Sequence, residues 1–311
     1  MNPASTVGAL LEATEARFET ALLAYGHGTE TAFDDACMLL REALNLPYDT
    51  DLTTALWASP VPSAALARFE SFVQRRIAER IPSAIIIGKA YVQGIGLYTD
   101  PAVIVPRSLL GEILFAGNLD SYLEREPTTV LDLCTGSGAI AIQAAIVFEH
   151  ALVDGVDLCE AAILLAQRNI ELNNVAAQVS VFAGDLYAPV AGKRYDLIVS
   201  NPPYVNTASM AALPAEFKSE PTLALAGGAD GMDVVRRIMA GAAQHLNPQG
   251  LLVIEIGHEA AYFEAAFPTL RVTYLPVEAG DQLVVLIEAE AFTFFDVLVD
   301  FKPTSKTHYS I

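Results

Sequence analysis

Residues 195–204 read Tyr-Asp-Leu-Ile-Val-Ser-Asn-Pro-Pro-Tyr. The apolar run up to Ser200 has the composition of a buried strand. Pro202 and Pro203 lack an N–H and cannot extend a ladder, so pairing stops at Asn201. A rigid loop is left at the strand's C-terminal end, where open α/β sheets bind their ligands. Fixed proline geometry points two neighbouring acceptors, the Asn201 side-chain oxygen and the Pro202 carbonyl, at one place. An NH2 group carries two donors and needs two such acceptors. Tyr204 can lay its ring against a flat group held there. Taken alone, the four residues also fit a strand end closed by a proline turn with an exposed tyrosine.

The surrounding chain narrows the choice. From Thr128 onward, strand and helix patterns alternate, the signature of a mostly parallel, doubly wound α/β sheet. Strands are expected at 130–133, 152–156, 179–182, 195–201, 250–256, 271–275 and 282–288, with helices at 139–148, 160–172, 231–245 and 258–266. Gly280-Asp281 reads as a tight turn between the last two strands. Their connection is too brief for a parallel crossover, so that pair is expected to be antiparallel.

Residues 5–80 read as helical. Ser5 or Thr6 can cap a first helix with the stripe Leu10, Leu11, Phe18, Leu22 and Leu23. Further helices are expected at 30–44 and 63–80, the latter turning Leu66, Phe69, Phe72, Val73 and Ile77 inward. Beyond Pro82, two β-rich runs, 85–88 and 102–105, flank Tyr91, Gly94, Gly96 and Tyr98 and suggest a hairpin. Arg107 follows, either in a site or in a structural ion pair, and a helix is expected over 109–124. The implied division is a helical domain (1–84), a hairpin linker (85–108), a sheet domain (109–290) and a tail (291–311) bearing Phe292, Phe294 and Phe295.

The 311 residues carry a formal net charge of −19. That disfavours a broad grip on nucleic acid, which depends on neutralising phosphates, and suits a small molecule or a basic protein. No run of 18 apolar residues is present, so no membrane span is expected. The first fifteen residues lack a basic segment and carry Glu12 and Glu15, so no secretory leader is expected. Cys37, Cys134 and Cys159 form no C-x-x-C pair and fit free thiols in a reducing compartment such as the cytoplasm. The five histidines show no metal-ligand spacing.

Asp132-Leu133-Cys134-Thr135-Gly136-Ser137-Gly138 joins the first sheet strand to a helix. Glycines there allow close backbone approach beside a helix N-terminus. Ala139-Ile140-Ala141 follows without the third glycine of the dinucleotide fingerprint, which points away from NAD. Asp157 ends the second strand and can accept ribose hydroxyls. Asp185 ends the third and can meet an adenine edge, with Leu186 against the ring. The loop holds no Lys or Arg, so the implied ligand is an adenosine without phosphate.

On these residues the chain resembles the class I S-adenosylmethionine-dependent methyltransferases and, within them, the HemK-type glutamine-amide methyltransferases. The resemblance covers nearly the whole chain. It is closest to the branch acting on large-subunit ribosomal protein L three, on the strength of Val105-Pro106-Arg107-Ser108, Asp132-Leu133-Cys134-Thr135-Gly136, and Leu213-Pro214-Ala215-Glu216-Phe217 followed by Glu220-Pro221. The release-factor branch is similar, but usually has Pro-Arg-Pro after the hairpin and glycine where Cys134 stands. The phenylalanine-rich tail departs from both and leaves assembly open.

The resemblance implies a seven-stranded Rossmann-like sheet with a small helical N-terminal domain and a connecting hairpin. It implies that Asp132, Cys134, Thr135, Gly136, Ser137, Gly138, Asp157, Leu158, Asp185, Leu186 and Asn201 hold S-adenosylmethionine. Asn201, Pro202, Pro203 and Tyr204 would bind the substrate amide, with Asn201, Pro202 and Tyr204 catalytic and no metal. The expected partner is a basic ribosomal protein or a release factor. Methylation of an adenine amine in nucleic acid, and a catalytically silent cofactor-binding subunit, are the competing readings.

Overall fold

The computed structural model describes residues 6–293. Ser5 and the tail beyond Thr293, including Phe294 and Phe295, lie outside the described residues. The chain opens with three helices, α1 (Val7–Thr20), α2 (Ala32–Leu44) and α3 (Ser63–Ala78). The Thr6 hydroxyl caps α1 by accepting the Ala9 N–H at 3.3 Å. Thr31 caps α2, and Asn45, in the left-handed region, ends it. Leu10, Leu11 and Phe18 are buried as expected, but α1 stops at Thr20 and leaves Leu22 82% exposed at φ 50°. The three helices bury an apolar cluster of their own, with Phe69 and Val73 of α3 at its centre.

The hairpin is displaced from its expected position. Ile85-Ile86-Ile87 forms part of a short helix, α4 (Ser83–Ile87), started by Pro82 and stopped by Gly88 at φ 73°. The strands are instead β1 (Lys89–Val92) and β2 (Ile95–Tyr98), inside the stretch read as the turn region. Gln93 and Gly94 join them with φ of 50° and 76°, the two left-handed residues that a tight hairpin of matching twist requires. Residues 102–105 pair with no strand: the Val105 N–H goes to the Glu220 carboxylate at 2.9 Å. The next helix, α5 (Leu110–Phe115), is shorter than expected because Gly117 takes φ 67° soon after it.

The second half is β3 (Thr129–Leu133), α6 (Ala139–Val147), β4 (Leu152–Asp157), α7 (Glu160–Leu172), β5 (Val179–Ala183), β6 (Tyr195–Ser200), three short helices α8 (Thr207–Ala212), α9 (Ala215–Lys218) and α10 (Thr222–Leu225), then α11 (Asp233–His245), β7 (Leu246–Glu255), α12 (Ala260–Ala266), β8 (Thr273–Val277), β9 (Gly280–Glu288) and α13 (Ala289–Thr293). One seven-stranded sheet runs β5-β4-β3-β6-β7-β9-β8. The first five strands are mutually parallel, and β9 is antiparallel to both β7 and β8. Gly280 already lies in β9, so the expected turn falls two residues earlier, at Glu278-Ala279. Helices cover both faces, which is why every residue of β6 is buried and its middle, Leu197-Ile198-Val199, is apolar without alternation. Phe292, from the aromatic tail segment, packs into one of these faces.

Buried charge joins the helical region to the sheet region. Arg76 of α3 is 1% exposed. Its Nε donates to Asp35 at 2.7 Å, its Nη2 to the Ala24 carbonyl at 2.7 Å, and its Nη1 meets Glu216 at 3.3 Å. Arg80 adds a second contact to Glu216 at 2.9 Å. Removing one partner of such a group strands buried carboxylates. Arg76→Ala is therefore expected to destabilise the protein by about 3–5 kcal/mol, read from chemical denaturation monitored by circular dichroism.

Candidate active site

The strand order reverses between β3 and β6, so the loops leaving their C-terminal ends diverge and open a crevice. A cleft of about 1100 Å³ lies there. It is lined by 102–108 from the hairpin exit, the loop after β3, the end of β4, the segments that follow β4 and β5, the Asn201 corner, residues 221–224 around α10, and Val234 and Arg237 of α11.

The loop after β3 is held from beneath. Cys134, Gly136 and Gly138 take φ of 60°, 55° and 80°, so three nearly adjacent residues occupy the left-handed region. Asp132 is fully buried under them. Its Oδ2 accepts the Thr135 hydroxyl at 2.6 Å and the Ala141 N–H at 3.0 Å, fastening the loop to the first turn of α6. Burial pushes its carboxyl up to about 7. Asp132 therefore sits behind the lining of the cleft, as does Gly138. A Cβ on Gly138 would come within 3.0 Å of the Ala166 Cβ, so this glycine lets α6 and α7 pack closely.

Thr135, Gly136, Ser137, Leu158 and Leu186 line the cleft together with Cys134. Asp157, at the end of β4, accepts the Gly136 N–H on one oxygen and the Cys159 N–H on the other, each at 2.8 Å. Burial raises its pKa, against the pull of those N–H donors. Asp185 is half exposed and forms an ion pair with Arg237 at 2.6 Å.

At the end of β6, the Ser200 hydroxyl donates to the Leu133 carbonyl at 2.8 Å and ties this strand to β3. Asn201 and Pro203 line the cleft; of their chain neighbours, Pro202 is buried and Tyr204 is partly exposed. Among the described residues, none takes up the Asn201 side-chain amide. The Tyr204 hydroxyl donates to Glu255 Oε1 at 2.9 Å. Burial, then the Glu255 charge, raises the Tyr204 pKa well above the usual phenol value. A Cβ on Gly257 would lie 2.5 Å from the Tyr204 ring, and one on Gly231 2.1 Å from its carbonyl oxygen.

Two carboxylates of the site carry no assignment from the sequence. Glu255 closes β7, 4% exposed. Its position at a strand's C-terminal end was the available signal, but an acid inside an apolar run reads equally as an edge residue. Glu220 stands among the motif residues Glu220-Pro221, yet its partners are far away in sequence. It meets Arg107 through two contacts of 2.6 Å, accepts the Val105 N–H at 2.9 Å, and lies 3.4 Å from His27 Nε2. Phe217 packs between the His27 ring and the Arg107 guanidinium. Arg107 thus both lines the cleft and forms a structural ion pair.

Such a sheet, with a glycine loop at its switch point and an acid closing the neighbouring strand, defines the class I S-adenosylmethionine-dependent methyltransferase fold. The catalytic domain of hMettl16 superposes with a TM-score of 0.51 at 15% identity, covering 81% of this chain and 89% of that one. Residues 110–217 match the methyltransferase small domain family. The ribosomal protein uL3 glutamine methyltransferase of Burkholderia pseudomallei is 45% identical over 92% of this chain and 95% of its own. Those of Bradyrhizobium diazoefficiens and Neisseria gonorrhoeae are 42% and 40% identical, over 88% and 92% of this chain and 87% and 95% of their own. The chain is a methyltransferase and belongs to the family of ribosomal protein uL3 glutamine methyltransferases.

Glu220 also sets a pH dependence. Burial opposes its ionisation, but the nearby His27 ring and the hydrogen bonds from Arg107 outweigh burial and hold it down at about 2, from an ordinary value of 4.5. A depressed carboxylate contributes stability that is complete above the unfolded value and is lost as pH falls through the folded one. Unfolding free energy is therefore expected to fall between pH 4.5 and 2, with a shallower slope in Glu220→Gln, measured by urea titration across that range.

Proposed function

We propose that this chain transfers a methyl group from S-adenosylmethionine to the side-chain amide nitrogen of a glutamine in ribosomal protein uL3. The observation that carries the reading is the Asn201 corner: an unpartnered side-chain amide at the cleft, next to a carbonyl fixed by two prolines.

The cleft suits the cofactor. A carboxylate offers about four acceptor sites, and the loop engages only part of Asp157's capacity through Gly136 and Cys159, which leaves acceptors for a ribose diol. Both arginines of the lining are already paired, Arg107 with Glu220 and Arg237 with Asp185. The cleft thus favours an adenosine without phosphate over a nucleotide. Cys134, Thr135, Gly136, Ser137 and Asp157 would hold it, Asp132 and Gly138 would support that loop from behind, and Leu158, Asp185 and Leu186 would flank the base. When bound, S-adenosylmethionine supplies an electrophilic methyl group on a sulfonium.

The chain's own residues prepare the acceptor. An amide nitrogen is a poor nucleophile because its lone pair is shared with the carbonyl. Asn201 Oδ1 and the Pro202 carbonyl accept its two N–H bonds and favour a more pyramidal nitrogen with a freer lone pair. Tyr204 and Pro203 supply apolar surface for the amide plane. Holding the nitrogen in a near-attack line can lower the barrier by roughly 7–11 kcal/mol at best. No strong base is required beforehand, since the proton can leave after transfer. The net charge of −19 complements a basic ribosomal protein.

Asn201→Ala is expected to lower methyl transfer by about 10²–10³-fold, the usual cost of losing one preorganised polar contact in a transition state, while calorimetric affinity for S-adenosylmethionine holds. Equal loss of both would overturn the role. In cells lacking the gene, mass spectrometry is expected to show one uL3 glutamine peptide lighter by a single CH2. A lighter release-factor peptide instead, or methyl label recovered in nucleic acid, would replace the substrate.

A further inference from the structure

Three parts of the site meet at one buried carboxylate. Glu255 Oε1 accepts the Tyr204 hydroxyl at 2.9 Å, and Oε2 accepts the Ser108 hydroxyl at 2.6 Å and the Leu109 N–H at 2.9 Å. Tyr204 belongs to the Asn201 corner. Ser108 lines the cleft at the exit of the hairpin. Glu255 itself ends β7, whose neighbour in the sheet is β6. It is 4% exposed, and burying a carboxylate is costly unless donors surround it. A position that needed only to end a strand would be met by an apolar residue, as at Ile256 next to it, which is fully buried.

The tyrosine has little freedom on its other sides. Gly257 lies so close to the ring that a Cβ would sit 2.5 Å from Cε2, and Gly231 meets the Tyr204 carbonyl. Backbone contacts therefore press on the ring and on the main chain, and the hydroxyl is tied at its far end. The plane of the ring is fixed by packing and by one hydrogen bond together.

We infer that Glu255 is a positioning residue for methyl transfer: through its two oxygens it fixes the Tyr204 ring and the Ser108–Leu109 segment at a set separation, and so defines the slot for the acceptor amide. The inference rests on the reading of Tyr204 as a surface for that amide. Glu255 touches neither cofactor nor reacting atoms; its effect passes through Tyr204 and the hairpin exit. Misplacement of about an ångström in a near-attack geometry can cost on the order of 100-fold, so loss of the tie is expected to affect turnover rather than cofactor binding.

The test uses Glu255→Leu, which removes both acceptor oxygens, and Tyr204→Phe, which keeps the ring but not the tie. Each is expected to lower kcat for the protein acceptor by about tenfold or more, with S-adenosylmethionine affinity unchanged by calorimetry. The double variant is expected to lose less than the product of the two, because both remove the same hydrogen bond. Losses that multiply, or cofactor affinity falling in step with kcat, would overturn the inference.

A second measurement needs no turnover. In protein labelled at tyrosine, the Tyr204 ring signal, assigned by its absence in Tyr204→Phe, is expected to show slow ring flipping in the wild type and fast averaging in Glu255→Leu. An unchanged signal would overturn the positioning role even if the wild type methylates uL3. Clear loosening in a protein that leaves uL3 unmodified would retain the tie and refute only the substrate.

Discussion

Chain leaving the C-terminal edge of a parallel sheet loses its ladder partners, and every buried N–H released there must find another acceptor. In this protein carboxylates take that place. Asp132 accepts from Ala141, Asp157 from Gly136 and Cys159, Glu220 from Val105, and Glu255 from Leu109. Each of the four thus supplies an acceptor to a loop or helix-end N–H that no strand pairs. The cleft keeps its shape because its walls hang from side chains rooted in rigid elements.

The same solution has an electrostatic consequence. Several of these acids lie where burial alone would drive them neutral, and the donors around them set how far that goes. Where a cation joins in, as at Glu220 with Arg107, ionisation wins and the pKa falls. Where only N–H and hydroxyl donors are present, as at Asp132, burial wins and the pKa rises. The cationic partners come largely from the hairpin exit and the helical region, so the N-terminal third is joined to the sheet region through charge as well as apolar packing. Arg76 and Arg80 against Glu216, and His27 and Arg107 against Glu220, form two such joints on α9 and the residues just after it. The segment between them carries Phe217, whose ring packs on His27 and Arg107.

Local chemistry made much of this legible. The apolar middle of β6, the diproline stop, the left-handed glycines of the loop and the acid that closes β4 each follow from nearest neighbours. So does the antiparallel pairing of β8 and β9, because a short connection allows nothing else. The errors share one cause. Three isoleucines at 85–87 have strand composition, yet the Pro82 start and the left-handed Gly88 stop select a helical turn. Val103 and Val105 are buried and β-branched, yet the acceptor for Val105 is Glu220 rather than a strand. At 85–87 the flanking Pro82 and Gly88 determined the conformation, and at Val105 the distant partner Glu220 did.

By itself the sequence determined which residue types stand at the strand ends, since periodicity, proline and glycine act within a few residues of the chain. Which acids face the cleft, and which hold the loops from behind, was decided only by tertiary structure. Asp157 is the last residue of its strand and Asp132 the last but one, and they look alike in sequence; Asp132 is sealed beneath the Thr135 turn and Asp157 opens into the crevice. Glu255 acquires its partners from positions 51 and 147 residues away. Hydrogen bonds of that reach depend on how the sheet brings separate loops together, and no local pattern in the chain records them.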